Sequence, residues 1–313
     1  MQITDNSRAF IEAEQYSDFI LMNLHDGLLP MTMFRDVSDF GSGTTLNIKT
    51  VGTVTIQEAA EDTPLEYNPI ESGTVTLAIT DYVGDAWFVT DDLREDGAQI
   101  DSLMAARSAE STRALQETYE SRFLAVCNSA QTDGDPMTIN GFSHRTASAE
   151  TNGIFALDQL SYAKLSFGKA NVPSEGRVFI MDEVAATTLD NLVTITHDVS
   201  PFGAMLLQEG MARGQEFVMR LYGWDIITSN RLPKGNFGDG TTSITGAVAN
   251  IGMCILDDQC KPIMGAWRRM PKVEGERNKD RARDEFVTRS RWGFGVQRLD
   301  TLFILITSAT NIA

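Results

Sequence analysis

The chain has 313 residues, a hydrophobic fraction of 42% and a formal net charge of −17. That length holds two modest domains or one core with extensions, and the apolar share excludes wholesale disorder. The acidity excludes general nucleic-acid binding by phosphate neutralisation, which needs the opposite sign, and describes a surface that would repel DNA lying against it.

Residues 1–40 read as an amino-terminal arm. Ala9 to Ile11 and Phe19 to Met22 suggest helical turns that end at Leu28-Leu29-Pro30, with Phe34 and Phe40 as anchors. From Gly41 onward the spacing predicts a long two-stranded ribbon. Thr44 to Glu58 carries Leu46, Ile48, Val54 and Ile56 among polar residues, and Thr74 to Val89 carries Val75, Leu77 and Ile79 among threonines. Between them Glu61, Asp62, Pro64 and Tyr67 lie in a polar tip whose prolines cannot donate ladder hydrogen bonds. No glycine or proline interrupts Ala98 to Gln131, where Ile100, Met104, Ser111, Leu115, Tyr119 and Phe123 recur at helical spacing. At about 1.5 Å per residue this helix spans roughly 45 Å. Such a ribbon and a helix with so narrow an apolar stripe demand further surface to bury against, which favours a subunit completed by its neighbours.

Thr132 to Asn152, rich in Gly, Ser, Thr and Asp, reads as a connector or flexible loop. An α/β unit follows over residues 154–256. It has a helix over Asp158 to Phe167, a short buried strand over Arg177 to Met181, and a helix capped by Asp182 running to about Leu192. A further helix is expected over Pro201 to Gln208, then strands over Gln215 to Leu221 and Trp224 to Thr228, and a glycine-rich loop over Asn236 to Thr242. Ala247 to Leu256, Pro262 to Ala266 and runs within Glu285 to Ser308 are the remaining strand candidates. Between the last two lies a charged stretch in which Arg268, Arg269, Lys272, Arg277, Lys279, Arg281 and Arg283 alternate with Glu274, Glu276, Asp280, Asp284 and Glu285. Its mixed signs argue against a nucleic-acid stripe. They suit either a solvated loop or contacts between subunits, where charges fix register.

No catalytic constellation emerges. His25, His144 and His197 have no metal-ligand spacing, and Gly141-Phe142-Ser143-His144-Arg145 lacks the second glycine of a nucleophile elbow. Gly41-Ser42-Gly43 lacks the third glycine of a dinucleotide fingerprint, and the acidic pairs Asp91-Asp92 and Asp257-Asp258 read as turn or cap residues before they read as cation ligands. Cys127, Cys254 and Cys260 form no CxxC pair, so a disulfide framework is not expected and a reducing compartment fits. Neither a signal peptide at Met1-Gln2-Ile3-Thr4-Asp5 nor a bilayer-length apolar run is present, which points to a cytoplasmic site of synthesis and use.

The order of segments resembles the major capsid proteins of tailed bacteriophages with the Hong Kong 97-type fold. Gly43 to Asp92, ending Trp87-Phe88-Val89-Thr90-Asp91-Asp92, resembles the extended loop, and Ala98 to Gln131 falls where that family has its spine helix. Tyr222-Gly223-Trp224-Asp225-Ile226-Ile227 and Ser229-Asn230-Arg231-Leu232-Pro233 are similar to part of the axial domain, and Phe286 to Ile306 to the return into the peripheral domain. The resemblance implies an α+β fold with an arm (1–40), an extended β-hairpin loop (41–92), a peripheral domain with the spine helix (93–153 and 257–313) and an α/β axial domain (154–256). It implies a non-enzymatic shell protein without cofactor or metal, forming hexamers and pentamers of itself in an icosahedral head around double-stranded DNA.

Its implied partners are a separate scaffolding protein, since little chain precedes the loop, and a portal protein, with a decoration protein left open and no membrane. Assembly is expected in the host cytoplasm and the product in the virion. Inter-subunit contacts are expected at Glu61, Asp62, Pro64, Tyr67, Arg268, Arg269, Arg277 and Arg281. Some relatives crosslink a loop lysine to an asparagine, and Lys49, the only lysine in residues 41–92, has no partner assigned. An encapsulin compartment shares the fold, and an α/β hydrolase or transferase with an unrecognised site is the reading from a different class.

Overall fold

The computed structural model describes residues 29, 31–39, 43–51, 56–58, 61, 72–96, 100–197 and 217–312. The arm contributes β1 (Arg35–Asp36), and a hairpin follows as β2 (Thr45–Val51) and β3 (Ser72–Ala78). Next, β4 (Asp81–Thr90) leads through the short helix α1 (Asp91–Asp96) into the long helix α2 (Ile100–Ser129). Short strands β5 (Thr138–Ile139), β6 (Phe142–Ser143) and β7 (Arg145–Ala147) precede α3 (Leu157–Lys169), β8 (Arg177–Met181) and α4 (Glu183–His197). The remaining strands are β9 (Phe217–Leu221), β10 (Trp224–Thr228), β11 (Lys234–Gly238), β12 (Ser243–Cys254), β13 (Ile263–Asn278), β14 (Arg283–Val296) and β15 (Leu302–Ser308).

A seven-stranded mixed sheet runs β7-β15-β12-β8-β10-β9, with β11 on the amino-terminal half of β12. Its central strands read as unbroken apolar runs because both faces are covered; every residue of β8 and β15 is buried. On one face Leu160, Ala163 and Phe167 of α3 and Ala185 and Leu189 of α4 pack on Phe179, Met181, Trp224, Ile226, Phe303 and Leu305. On the other, Tyr119, Phe123, Leu124 and Cys127 of α2 pack on Val178, Ile180, Ile251, Met253 and Leu302. Asn250, a buried polar side chain in the central strand β12, is satisfied: it accepts from the Asp182 amide at 2.9 Å and donates to Leu305 O and Thr307 Oγ1 at 3.1 and 2.8 Å.

The second sheet has the order β1-β13-β14-β4 and is built on the long antiparallel pair β13–β14. Helix α2 crosses both sheets, and its carboxy-terminal half is wedged between them. There Tyr119 stacks on Trp267 at 4.2 Å and meets Phe294 at 4.7 Å and Trp292 at 5.2 Å. Phe34 of the arm closes the nest, 5.8 Å from both Tyr119 and Phe123. Ring pairs at these separations add about 0.5–1.5 kcal/mol each beyond their area burial.

Several expectations are corrected. The ribbon's return strand does not run unbroken to Val89: β3 pairs with β2, whereas Asp81–Thr90 leaves the hairpin and pairs with β14. Thr132 to Asn152 is not a loose connector, because β7 pairs with β15 and Arg145 is fully buried. Its guanidinium donates to Gly238 O at 2.9 Å, Asn128 Oδ1 at 3.1 Å and Asp133 Oδ1 at 2.7 Å. His144 is also buried, beside Phe167, and burial holds its pKa below the usual histidine value. Of the two readings offered for the charged stretch, the solvated loop is corrected: it is the outer part of β13, the turn and the start of β14, and most of Asn236 to Thr242 is taken up by β11 and its turn. Strand β15, expected with the peripheral segment, lies inside the seven-stranded sheet. Helix α4 extends past Leu192 to His197. The helical turns of the arm, Phe40, and the helix over Pro201 to Gln208 lie outside the described residues.

One buried carboxylate ties these parts together. Glu120 on α2 accepts from the Leu29 amide at 3.1 Å and from Ser229 Oγ at 3.1 Å, and Arg231 lies 3.5 Å away. The segment Ser229-Asn230-Arg231-Leu232-Pro233 is thus the point where the end of β10 docks on the long helix. Glu120→Ala should cost about 2 kcal/mol in denaturant melts, because it takes the acceptor from the Leu29 amide and the Ser229 hydroxyl while Arg231 keeps Glu117 at 3.1 Å, and Ser229→Ala about 1 kcal/mol. The double variant should cost less than the sum, since both remove the same contact. Strict additivity would show that Ser229 and Glu120 do not act together.

Candidate assembly surface

Beyond the aromatic nest, β4, β14 and β13 continue as a three-stranded blade. Trp87 and Phe286 stack at 4.3 Å on the face that carries α2, where Arg107 pairs with Asp85 at 2.8 Å and Ser111 meets Thr288 at 3.2 Å. The blade ends in a knot of charge. Arg277 donates to both carboxylate oxygens of Asp91 at 2.8 Å each and to Asp284 at 3.2 Å, and Arg94 also pairs with Asp284. Asn278 and Arg283 donate to Glu285 at 3.0 and 2.7 Å, and the Arg283 guanidinium lies 4.3 Å over the Phe88 ring. Asp91 is the first residue of α1, where a carboxylate also suits the helix dipole.

The β2–β3 hairpin stands on the same sheet. Leu77, fully buried, packs with Met264 and Ala266, while Leu46, Ile48 and Val75 are half-buried against them. Its other face is polar: Lys49 Nζ donates to Thr74 Oγ1 and Thr76 Oγ1 to Asn47 Oδ1, both at 3.0 Å. The chain passes from β3 to β4 directly over Gly293. A Cβ there would lie 2.7 Å from Ile79 Cα, so only glycine admits the crossing.

Of the residues expected at contacts, Arg268, Arg269, Arg277 and Arg281 share the β13–β14 hairpin. Arg268 is exposed on β13, Arg269 pairs with Glu274 at 2.6 Å, Arg277 lies in the knot, and Arg281 is exposed in the turn. Glu61 is exposed; Asp62, Pro64 and Tyr67 lie outside the described residues. The sequence reading missed Asp91, Arg94 and Asp284 as one cluster, because only the strand register brings them to Arg277. It also missed Tyr82 and Phe88. They sit on one face of β4, an edge strand, and are 58% and 55% exposed. A long edge strand with exposed aromatics is a surface that invites pairing.

Asp91 and Glu285 are held below their ordinary pKa values of 3.8 and 4.5, the first chiefly by the Arg277 hydrogen bonds and the second chiefly by those of Arg283 and Asn278. A carboxylate depressed in the folded state contributes stability that is full above its ordinary value and is lost as pH falls through the folded one. Amide protection factors over residues 277–284 should therefore drop below about pH 4, and Arg277→Gln should abolish most of that dependence. Equal protection at pH 5 and pH 3 would show that the knot does not hold the tip.

A family model described as phage capsid protein matches residues 72–306. Among solved structures, the capsid of the cyanophage P-SCSP1u superposes with a TM-score of 0.72 at 18% identity, covering 99% of this chain and 97% of that one. The cyanophage Pam1 capsid asymmetric unit gives 0.68 at 11% identity with 99% of both chains covered. A structure from mycobacterium phage Che8 gives 0.67 at 17% identity, covering 94% and 97%. A search of curated proteins finds no match. With the mixed α+β architecture of the Hong Kong 97-type fold and a match over most of its length, this chain belongs to the phage capsid protein family and is a major capsid protein of the icosahedral phage head.

Proposed function

We propose that the chain builds its shell from hexameric and pentameric rings of itself, assembled in the host cytoplasm with the help of a separate scaffolding protein and a portal protein. The shell encloses double-stranded DNA without sequence-specific contacts, and the chain's part is structural rather than catalytic. In this reading residues 41–92 work as the extended loop, 93–153 with 257–313 as the peripheral part, and 154–256 as the axial part. A decoration protein remains a further partner for the outer surface.

The observation that carries self-association is the distribution of charge. Residues 263–296 hold nine basic against five acidic side chains, a formal +4, which leaves −21 on the rest of a chain whose total is −17. A basic β13–β14 hairpin on an otherwise acidic chain fits an acidic face of the next copy, so like subunits are electrostatically complementary in one orientation and repel in others. The exposed Tyr82 and Phe88 supply the apolar contact within such an interface. The acidic remainder supports a wall that does not grip the packed genome.

Arg268→Glu with Arg281→Glu should lower the assembled fraction at least tenfold by sedimentation and negative-stain imaging, with thermal melts of the monomer unchanged. Deleting residues 61–68 should likewise weaken assembly and leave the monomer folded. Normal shells from both variants would remove the blade and the loop tip from the contacts. Shells from the wild-type chain that hold a cargo enzyme and no nucleic acid would favour a compartment instead.

A further inference from the structure

Two of the three cysteines meet where the chain leaves one sheet for the other. Cys254 is the last residue of β12 in the seven-stranded sheet, opposite Arg177 of β8, and Ile263 opens β13 in the four-stranded sheet. Between them Asp257 folds a tight turn. Its carbonyl accepts the Cys260 amide at 3.1 Å, and its carboxylate accepts the amides of Gln259 and Cys260 at 2.9 and 2.8 Å. This turn aims the Cys260 side chain back onto the core that contains Cys254, so the two thiols lie side by side at the end of β12. Cys254 is fully buried, its Sγ 3.7 Å from Glu175 O, whereas Cys260 is partly exposed. Cys127 is buried elsewhere, on α2.

We propose that Cys254 and Cys260 are an oxidation site that closes to a disulfide when the protein meets a peroxide. The exposed thiol reacts first: Cys260 sulfur attacks the peroxide, the O–O bond breaks, one water leaves, and Cys260 becomes a sulfenic acid. Cys254 sulfur then attacks Cys260 sulfur, the S–O bond breaks, and a second water carries away the hydroxyl and the Cys254 proton. Two thiols are oxidised by two electrons and the peroxide is reduced to two waters. The bridge staples the crossing between the two sheets.

The surroundings set its timing. Burial, then the hydrogen bond to Asp257 and contact with Cys254, push the Cys260 thiol up to about 11, so little thiolate exists at neutral pH. The pair therefore resists brief oxidation and responds to sustained exposure, such as that outside a reducing cytoplasm. The chemistry belongs to the single chain, so its failure leaves the assembly reading untouched.

The test treats purified full-length protein with hydrogen peroxide at pH 8, then traps remaining thiols with iodoacetamide under denaturing conditions for peptide mass spectrometry. The expected product links Cys254 to Cys260, with Cys127 alkylated. Cys260 recovered as sulfinic acid, or both cysteines recovered as alkylated thiols, would overturn the proposal. Asp257→Asn should speed bridging several-fold at pH 7 by removing the charge beside the thiol, and an unchanged rate would overturn the part given to Asp257.

Discussion

The carboxy-terminal half of α2 is the wedge on which the rest of the molecule depends. Two sheets that share no strand are held as one body because Tyr119, Phe123, Leu124 and Cys127 fill the space between them. An aromatic nest suits this position. Flat rings from α2, β13, β14 and the arm meet at several angles and fill an irregular junction that aliphatic side chains would leave voided. The buried Glu120 adds direction to the packing. It accepts from the arm and from the end of β10 at once, so helix rotation or a register slip would strand a carboxylate in the core.

The wedge also explains why α2 looks ambiguous in sequence. Its first half, from Ile100 to about Arg113, lies along the blade through polar contacts, the partly exposed Arg107–Asp85 pair and the buried Ser111–Thr288 pair. Its second half is core. A single helix therefore changes character partway, and averaging over its length gives a weakly amphipathic stripe. The division gives the two halves separate mechanical parts: the buried half fixes the two sheets together and the other half stiffens the blade.

Much of this architecture was legible from residue patterns. The long helix, the apolar strands Arg177–Met181 and Leu302–Ser308, and the Tyr222-Gly223 turn between β9 and β10 follow from periodicity and turn chemistry; both turn residues have positive φ, 51° and 86°. The misreadings have physical causes. Val75, Leu77, Ile79, Val83, Trp87 and Val89 keep one alternating phase, so nothing local marks the break at Ile79–Thr80. The break is imposed from outside, by the crossing over Gly293. The glycine spacing Gly293-Phe294-Gly295 was the available signal, since alternate glycines in a strand mark close backbone approach. Arg268 to Glu285 carried no strand expectation because strand propensity disfavours charge, yet cross-strand pairing of Arg277 with Asp284 overrides it. Arg145 was hidden by its polar surroundings, and only the fold shows that Asp133, Asn128 and Gly238 converge on it.

Charge distribution links the fold to the assembly. The basic residues could have been spread over the chain to neutralise it; instead nine sit on the β13–β14 hairpin, in the four-stranded sheet, whereas α3 and α4 pack on the seven-stranded one. Within the blade the ends are internally paired at Arg277, Asp91 and Asp284, which fixes the tip's shape without using up its net positive charge. Exposed ion pairs contribute little to stability one at a time, but a network that shares carboxylates restrains several side chains together. A projecting element needs that restraint most, and among the described residues α2 is the long helix that backs its three strands. In the proposed assembly, local pairing that holds shape and a net positive charge that attracts a neighbour are separate roles for the same residue type. The separation lets a subunit be rigid before it meets a neighbour, so less conformational entropy is lost on docking.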